Sequence, residues 1–319
     1  MQVVRTILQR LFFMIVVVTL ATFLLSLLVW LLPGDPAETL TSLAIPENIK
    51  EIRRLTGLDR GVFGYFWKWY SGMWTGNFGA TYAGTVPFPL SSKIAATLPV
   101  SGLLILYTQV VALLFSVPLG LISAYKEGGK FDKIVQSVLF SLSSIPGFAM
   151  GLLLSLILAA KLKVLEPLGY VSPTEDLGQH LKYMIMPIAS LSIGLIASYT
   201  RLLRADVVAT LKEDYVTMAA SKGISNRRVL WRHVLRPSST TLLTSAALNM
   251  GALIGGTIIV ETIFQIPGLG YEIAFAVGAR QVIAIQTYVA LIAFAYVFFN
   301  SMVDIISNIV DPRTRERRV

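Results

Sequence analysis

Residues 214–237 read DYVTMAASKGISNRRVLWRHVLRP, a segment with too many cations to lie inside a bilayer. Long uncharged stretches precede and follow this basic segment. Across the whole chain, 55% of the residues are hydrophobic, only 14% are charged and the mean hydropathy is +0.69, which is far more apolar than a soluble domain. The sequence therefore predicts an all-α membrane protein in which the basic segment lies in water at the membrane surface.

The uncharged stretches number six, and a helix needs roughly 20 residues to cross the hydrocarbon. The first stretch could be mistaken for a signal peptide, but its apolar run is too long and no cleavage site of small residues follows it. We therefore expect a single transmembrane domain, residues 1–319, with six permanent helices. Their expected bounds are residues 11–32, 98–125, 134–160, 183–204, 237–260 and 281–308.

The distribution of cations predicts how these helices are oriented. If both termini are cytoplasmic, 17 of the 27 Lys and Arg residues and 8 of the 18 acidic residues lie on the cytoplasmic side, which then carries the whole formal charge of +9. This distribution obeys the positive-inside rule. Residues 33–93 then form an outside loop. The excess of basic over acidic residues is explained by the membrane topology and by contact with anionic lipid, so we expect no nucleic-acid partner.

Aromatic residues are concentrated in the outside loop, where residues 63–70 read FGYFWKWY and Trp74 follows. This density is typical of a helix lying at the membrane interface or of a surface that binds a partner protein. If a partner binds here, Trp67, Trp69, Tyr70 and Trp74 are its expected anchors. The sequence leaves both interpretations open.

The residue types needed for metal or thiol chemistry are scarce. The chain has no cysteine, which excludes disulfides and thiolate chemistry, and it has only two histidines. His180 and His233 are far apart and on opposite predicted sides of the membrane. We interpret each as a surface or interfacial residue and expect no metal site.

Apolar residues recur through the basic segment, so we expect it to fold as helices at the membrane surface and not as a disordered linker. Gly223 interrupts the first helix where a left-handed residue would end it. Ser225 can cap the next helix, with Ile224 and Val229 placed as a hydrophobic staple around the cap. Pro237 is expected to stop this second helix.

The same segment has the composition of a docking surface. Ala219 lies four residues before Gly223, so small side chains on one helix face would let another protein approach the backbone closely. Positive charge for an acidic groove is supplied by five cations: Lys222, Arg227, Arg228, Arg232 and Arg236. The alternative is an amphipathic connector held to anionic lipid, and the residues alone do not decide between the two.

Residues 215–223 (YVTMAASKG) and 229–236 (VLWRHVLR) resemble the loop that defines the integral membrane subunits of binding-protein-dependent ABC importers, in the branch that carries dipeptides and oligopeptides. Ala220 and Ser221 stand where that branch usually has Arg and Ala, which removes a charge from the docking surface. Thr217 stands where sugar permeases have glutamate, and Asn77 where the peptide branch usually has aspartate. Similar segments, in the same order, are LPGDP at 32–36, LTGLD at 55–59, GNFG at 76–79, SIPGF at 144–148, TRLLR at 200–204, ETIFQIPGLG at 261–270 and DPR at 311–313.

This resemblance implies a permease of the type I ABC importer fold, with cytoplasmic coupling helices between helices 4 and 5 in a coupling segment of residues 205–236. The implied partners are a second homologous permease subunit, one or two ABC ATPase subunits and an extracytoplasmic solute-binding protein. ATP and Mg would be bound by the ATPases, since the sequence has no Gly-x-x-x-x-Gly-Lys-[Ser/Thr] phosphate cradle; we expect no cofactor and no catalytic residue in this chain. The expected ATPase-coupling residues are Tyr215, Ala219, Ala220, Lys222, Gly223, Ile224, Arg227 and Arg228.

Polar residues in the outer half of the fifth helix are candidates for the substrate pathway. These are Asn249, Thr257 and Glu261. Glu261 could contact solute at the mouth of the pathway or the second subunit; alternatively, it is an interfacial acid wetted by outside water. The sequence does not distinguish these roles.

Other functional classes fit the sequence less well. A secondary transporter should have ionisable residues at mid-membrane to bind a coupling ion, and the six stretches are uncharged. An intramembrane enzyme should bring a nucleophile with a base, or a metal-binding histidine pair, and neither pattern occurs. Among importers, the resemblance favours peptides as the solute, with oligosaccharides, nickel chelates or glutathione as alternatives.

The predicted topology can be tested directly because the chain lacks cysteine. Ser71→Cys should react with a membrane-impermeant maleimide added outside, and Ser225→Cys only after the cytoplasmic face is opened. The cysteine-free parent measures background labelling. Labelling of both variants from the same side would contradict the six-helix layout.

Overall fold

The computed structural model describes residues 2–31, 35–40, 45–83 and 85–310, and its predominantly helical structure confirms the all-α class. Residues 32–34 and 311–319, which carry two of the quoted motifs and the basic tail, lie outside the described residues. The helices in chain order are α1 Gln2–Leu31, α2 Pro36–Leu40, α3 Pro46–Thr56, a 3-10 turn Leu58–Arg60, α4 Gly61–Trp74, α5 Leu90–Tyr125, α6 Lys130–Ser143, α7 Gly147–Leu154, a π-helical turn Ser155–Lys161, α8 Leu177–Leu211, α9 Asp214–Ser221, α10 Asn226–Arg228, a π-helical turn Val229–Val234, α11 Leu235–Phe264, α12 Leu269–Gly278 and α13 Val282–Val310.

Within the described residues, five helices are long and apolar enough to cross a membrane, and a bent helix pair makes a sixth if it counts as one span. The predicted number of six spans agrees with the higher of these two counts. The helices that contain these candidate spans are Leu11–Leu31, Leu90–Tyr125, the bent pair Lys130–Ser143 with Gly147–Lys161, Leu177–Leu211, Asn226–Phe264 and Val282–Ser301.

The third span differs from the single helix predicted at residues 134–160. Its two arms, α6 and α7, meet at an angle of 95°. Pro146 lies at the break and explains it, because proline lacks the backbone N–H of a helix and disfavours helical geometry in the residue before it. Pro146 is visible in the sequence, but the length of an apolar stretch does not show whether the helix within it is straight or bent.

The fourth span is longer than the predicted residues 183–204, since α8 runs from Leu177 to Leu211. Its start is set by a polar cap: the Asp176 carboxylate accepts a hydrogen bond of 2.9 Å from the Gln179 backbone N–H. A prediction based only on the length of the uncharged stretch misses a helix start that is set by a polar cap.

Pro237 does not stop a helix, contrary to the sequence prediction. The helix that begins at Asn226 continues through the π-helical turn Val229–Val234 into α11, and Pro237 lies in the first turn of α11. Local π geometry is one way in which a helix accommodates a proline without ending.

The described residues fall into two compact units. The first contains the described parts of Met1–Gly102 and Pro267–Ile305, and the second contains those of Leu103–Ile266 and Ile306–Val319. In the first unit, the predicted outside loop is a folded structure built from α2, α3, α4 and an antiparallel hairpin. The hairpin pairs β1 Ala80–Ala83 with β2 Val86–Pro89, an addition to the all-α prediction.

Helix α4 is fixed in the first unit by aromatic side chains on one face. The Tyr65 hydroxyl donates to Gln286 Oε1 (2.7 Å) and the Trp69 indole N–H donates to Thr287 Oγ1 (2.9 Å), so both side chains hold α4 to α13. Trp69 is buried and is therefore not available as a docking anchor, which corrects that prediction. Trp67 and Trp74 are exposed.

In the second unit, α8 packs against α6, α7 and α11. Its contact with α5 is also close, since a Cβ added at Gly120 would lie 3.2 Å from Leu203. Tyr199 and Gln109 join the same two helices by a hydrogen bond of 3.2 Å. A fixed α5–α8 pair therefore forms the base on which the basic segment folds.

The role of the buried α4 face can be tested with two matched tryptophans. Trp69→Phe should lower the thermal-unfolding midpoint of the detergent-solubilised protein, because it removes the donor to Thr287 at a cost of about 1–3 kcal/mol. Trp67→Phe, at a side chain that is 67% exposed, should change the midpoint little. Equal shifts for the two variants would contradict this account of α4.

Candidate functional site

The turn in the basic segment has the predicted conformation. Gly223 separates α9 from α10 with φ +75°, in the left-handed region. A Cβ added there would meet no atom of the described residues within 4 Å. The cost of a side chain at this position is therefore conformational and not a clash, and it amounts to about 1–2 kcal/mol.

The start of the helix after this turn was predicted only in part. Ser225 occupies the position before α10, but among the described residues its side chain makes no capping hydrogen bond, so that detail of the prediction is wrong. The predicted apolar contact near this helix start is present, because Ile224 packs against the buried cluster that includes Val229. Packing, and not a cap, fixes this helix start.

Ala219 does not lie on an exposed face, contrary to the sequence prediction. It is 8% exposed and shares a buried cluster with Val216, which lies one turn earlier in α9. Residues three apart occupy the same face of a helix, so α9 turns both small apolar side chains inward. Ala220 lies in α9, and its side chain lies outside the described part of the structure.

The basic segment and the α5–α8 pair share one hydrophobic cluster. It joins α9 and the following helix to the ends of α5 and α8. The buried members near the segment are Leu121, Ala124, Leu203, Val207, Val216, Ala219, Val229 and Val234. The segment is therefore an extension of the second unit's core.

Hydrogen bonds reinforce this packing at two places. The Asn226 side-chain amide donates to the Tyr125 hydroxyl at the end of α5 (2.7 Å). The Ser238 hydroxyl donates to Thr210 Oγ1 near the end of α8 (2.8 Å). Each bond joins a residue of the segment, or of the helix that continues it, to the α5–α8 pair.

The opposite face of the basic segment is exposed and positively charged. Lys222, Arg227 and Arg228 are all exposed. An open hollow of about 650 Å³ is lined by Ser225, Arg227, Arg228, Trp231 and Arg232. Such a surface fits an acidic, partly apolar partner.

Tyr215, in the first turn of α9, is also exposed, at 44%. Partial burial and the nearby Glu213 carboxylate raise the pKa of Tyr215. The hydroxyl therefore stays protonated at neutral pH and can donate a hydrogen bond to a partner.

The three pathway candidates differ in exposure. Asn249 is half-buried; its side-chain amide donates to the Ser245 carbonyl (2.9 Å), and it also interacts with Tyr199. Thr257 is buried and donates to the Ile254 carbonyl. Glu261 is fully buried, so the interpretation of an acid wetted by outside water is wrong.

His180 is also buried, which corrects its interpretation as a surface histidine. Its Nδ1 lies 2.7 Å from the Val171 carbonyl oxygen, and its ring packs edge-on against Tyr107 and Tyr170. Across the described residues, no group of three or more His, Asp or Glu side chains is arranged to hold a metal ion.

One partly buried ion pair was not foreseen from the sequence. Arg204, noted only as part of the TRLLR motif, pairs with Asp132 of α6, which lies 72 positions earlier. The available signal was weak: both charges lie at the ends of predicted spans, on the same predicted side of the membrane. Only the fold brings them together.

The chain is similar to known transport proteins over nearly its whole length. Residues 116–316 match the family model described as binding-protein-dependent transport system inner membrane component, and residues 3–115 match the model of the N-terminal part of such membrane components.

The relatives agree with these matches. A probable peptide ABC transporter permease protein of Sinorhizobium fredii is 31% identical over 312 residues, covering 97% of this chain and 98% of the relative. A putative peptide transport system permease protein of Brucella abortus is 31% identical over 310 residues, covering 97% and 98%. A nickel import system permease protein of Staphylococcus aureus is 28% identical over 319 residues, covering 99% and 93%. Since the matches extend over the spans and the basic segment alike, the chain belongs to the family of inner-membrane components of binding-protein-dependent transport systems.

Proposed function

We propose that this permease forms half of the translocation pathway of an ATP-driven importer for peptides, and that the basic segment receives the motion of a separate ATPase. The observation that carries the proposal is the two-sided character of the segment. Its apolar side is buried in the core that holds α5 and α8, while its cations are exposed. A partner that pushes on the exposed side would move these helices as one body.

The proposed complex contains a second homologous permease subunit, one or two ABC ATPase subunits and an extracytoplasmic solute-binding protein. The ATPases bind ATP and Mg, since this sequence contains no phosphate cradle. Dependence on a binding protein is a property of the family, and the stoichiometry is part of the proposal.

The proposed orientation places both termini and the basic segment in the cytoplasm. The positive-inside rule supports it, because the whole net charge falls on that side. The aromatic α4 surface, with Trp67 and Trp74 exposed, then faces outside, where the solute-binding protein or the lipid interface would contact it.

Among the pathway candidates, Asn249 remains partly accessible in this chain, whereas Thr257 and Glu261 are buried. We therefore propose Asn249 as the candidate that solute can reach. Thr257 and Glu261 would act on the pathway only through the packing of α11.

Peptides are the proposed solute because relatives named as peptide permeases match nearly the full length of the chain. A nickel chelate is the second candidate, since a relative named as a nickel import permease matches equally far. The experiment is uptake into proteoliposomes of the complete importer, comparing labelled di- and oligopeptides with a nickel chelate. ATP-dependent peptide uptake supports the proposal, and uptake of the chelate alone overturns the choice of solute.

Docking of the ATPase can be tested at Gly223. Gly223→Val forces a branched side chain into the left-handed region, which should distort the turn and reduce co-purification of the ATPase by about tenfold or more, while membrane insertion is kept. Pull-down from detergent-solubilised membranes measures the association.

Gly76→Val is the matched control, because Gly76 has φ +79° and an added Cβ there also meets no described atom within 4 Å. It imposes similar strain on the opposite predicted side of the membrane and should leave ATPase association unchanged. Normal association of the Gly223→Val variant would refute the docking role of the basic segment.

A further inference from the structure

Asp132, in the first turn of α6, is held by donors from three directions. Its carboxylate accepts two hydrogen bonds from Arg204, from Nε and Nη2, both 2.7 Å long. The Ser123 hydroxyl of α5 and the Gly128 backbone N–H (2.9 Å) donate to the same carboxylate. With Asp132 only 4% exposed, these bonds fix the start of α6 to both α5 and α8.

The connection between α5 and α6 is a short turn, since α5 ends at Tyr125 and α6 begins at Lys130. Gly128 adopts φ +72° inside it, and the Gly129 N–H donates to the Lys126 carbonyl (2.9 Å). A Cβ added at Gly129 would lie 3.0 Å from that carbonyl oxygen, so a side chain there would strain the turn. The turn therefore keeps the start of α6 next to the end of α5.

The same end of α5 is joined to the basic segment. Tyr125, the last residue of α5, accepts the hydrogen bond from Asn226, and the neighbouring Ala124 belongs to the cluster that buries Val216 and Val229. A displacement of the basic segment therefore acts on the end of α5 and on the turn that leads to Asp132.

At its other end, α6 reaches the 95° bend. The helix has 14 residues and is about 21 Å long. Just beyond it, Ile145, Gly147 and Phe148 line a groove of about 320 Å³ together with residues of α8 and α11, including Ser190 and Gly256. The chain leaving α6 therefore leads directly into three residues that line this groove.

We propose that Asp132 and Arg204, with Tyr125 and Asn226, form a second mechanical link that transmits motion of the basic segment through α6 to the groove at the bend. Asp132 and Arg204 are positioning residues: they contact neither ATP nor solute and act by keeping α6 in register with α5 and α8. The inference rests on the proposed function, because it needs an ATPase that moves the basic segment.

The test measures solute transported per ATP hydrolysed by the complete importer in proteoliposomes. Tyr125→Phe and Asn226→Ala each remove the hydrogen bond between the basic segment and α5. We expect ATPase association and hydrolysis close to the parent, with transport per ATP reduced about 2- to 30-fold. Because both substitutions break one bond, the double variant should be no worse than the more severe single variant.

Asp132→Asn should give a larger loss, since it breaks the bidentate pairing with Arg204 while it preserves the side-chain shape. If this variant fails to assemble, the Tyr125 and Asn226 variants still decide the question. Ser239→Ala is the matched control: its hydroxyl donates to the Arg236 carbonyl within one helix, so its loss should leave the ratio unchanged.

The proposed link is wrong if the Tyr125→Phe and Asn226→Ala variants transport as much solute per ATP hydrolysed as the parent. This includes the case in which hydrolysis and transport fall by the same factor. The Gly223→Val result separates this failure from failure of the docking proposal. If Gly223→Val abolishes ATPase association while the ratio is unaffected in the link variants, docking stands and only the second link is wrong.

Discussion

The burial of one face of the basic segment against the ends of α5 and α8 is the interaction on which the rest of the second unit's organisation depends. Val216, Ala219, Val229 and Val234 are between 0% and 8% exposed there. Burying a side chain the size of valine contributes about 1.5 kcal/mol or more, so these four residues together stabilise the position of the segment by several kcal/mol. A segment with this many cations would otherwise be expected to lie loosely on anionic lipid.

Because of this burial, the two sides of the basic segment have different environments. The apolar side makes the segment part of the core, and the charged side, with Lys222, Arg227 and Arg228, is exposed. The left-handed turn at Gly223 follows α9, and beyond the short exposed helix α10 the chain returns to the cluster at Val229. A short segment anchored in the core in this way is what the proposed coupling to a separate ATPase requires.

The parts of the fold that depend on local chemistry could be predicted from the sequence: apolar length gave the spans, and the glycine gave the left-handed turn. Features that depend on distant partners could not. The separation of four residues between Ala219 and Gly223 predicted that they share a helix face, but it did not show which side of α9 is buried. The ion pair of Asp132 with Arg204 joins residues 72 positions apart, and no periodicity reveals it. Pro146 and Pro237 look alike in sequence, yet one bends a span by 95° and the other is accommodated beside a π-helical turn.

The central claim is that the basic segment and α8 move as one rigid body, and a distance measurement tests it most directly. Spin labels at Ser221→Cys in α9 and Ala209→Cys in α8 occupy exposed positions in a chain that otherwise has no cysteine. In the assembled importer, the distance between them should be narrowly distributed and change by less than about 2 Å between nucleotide-free and ATP-bound states. A shift near one helical turn, about 5 Å, or a distribution that broadens with ATP, would contradict the account.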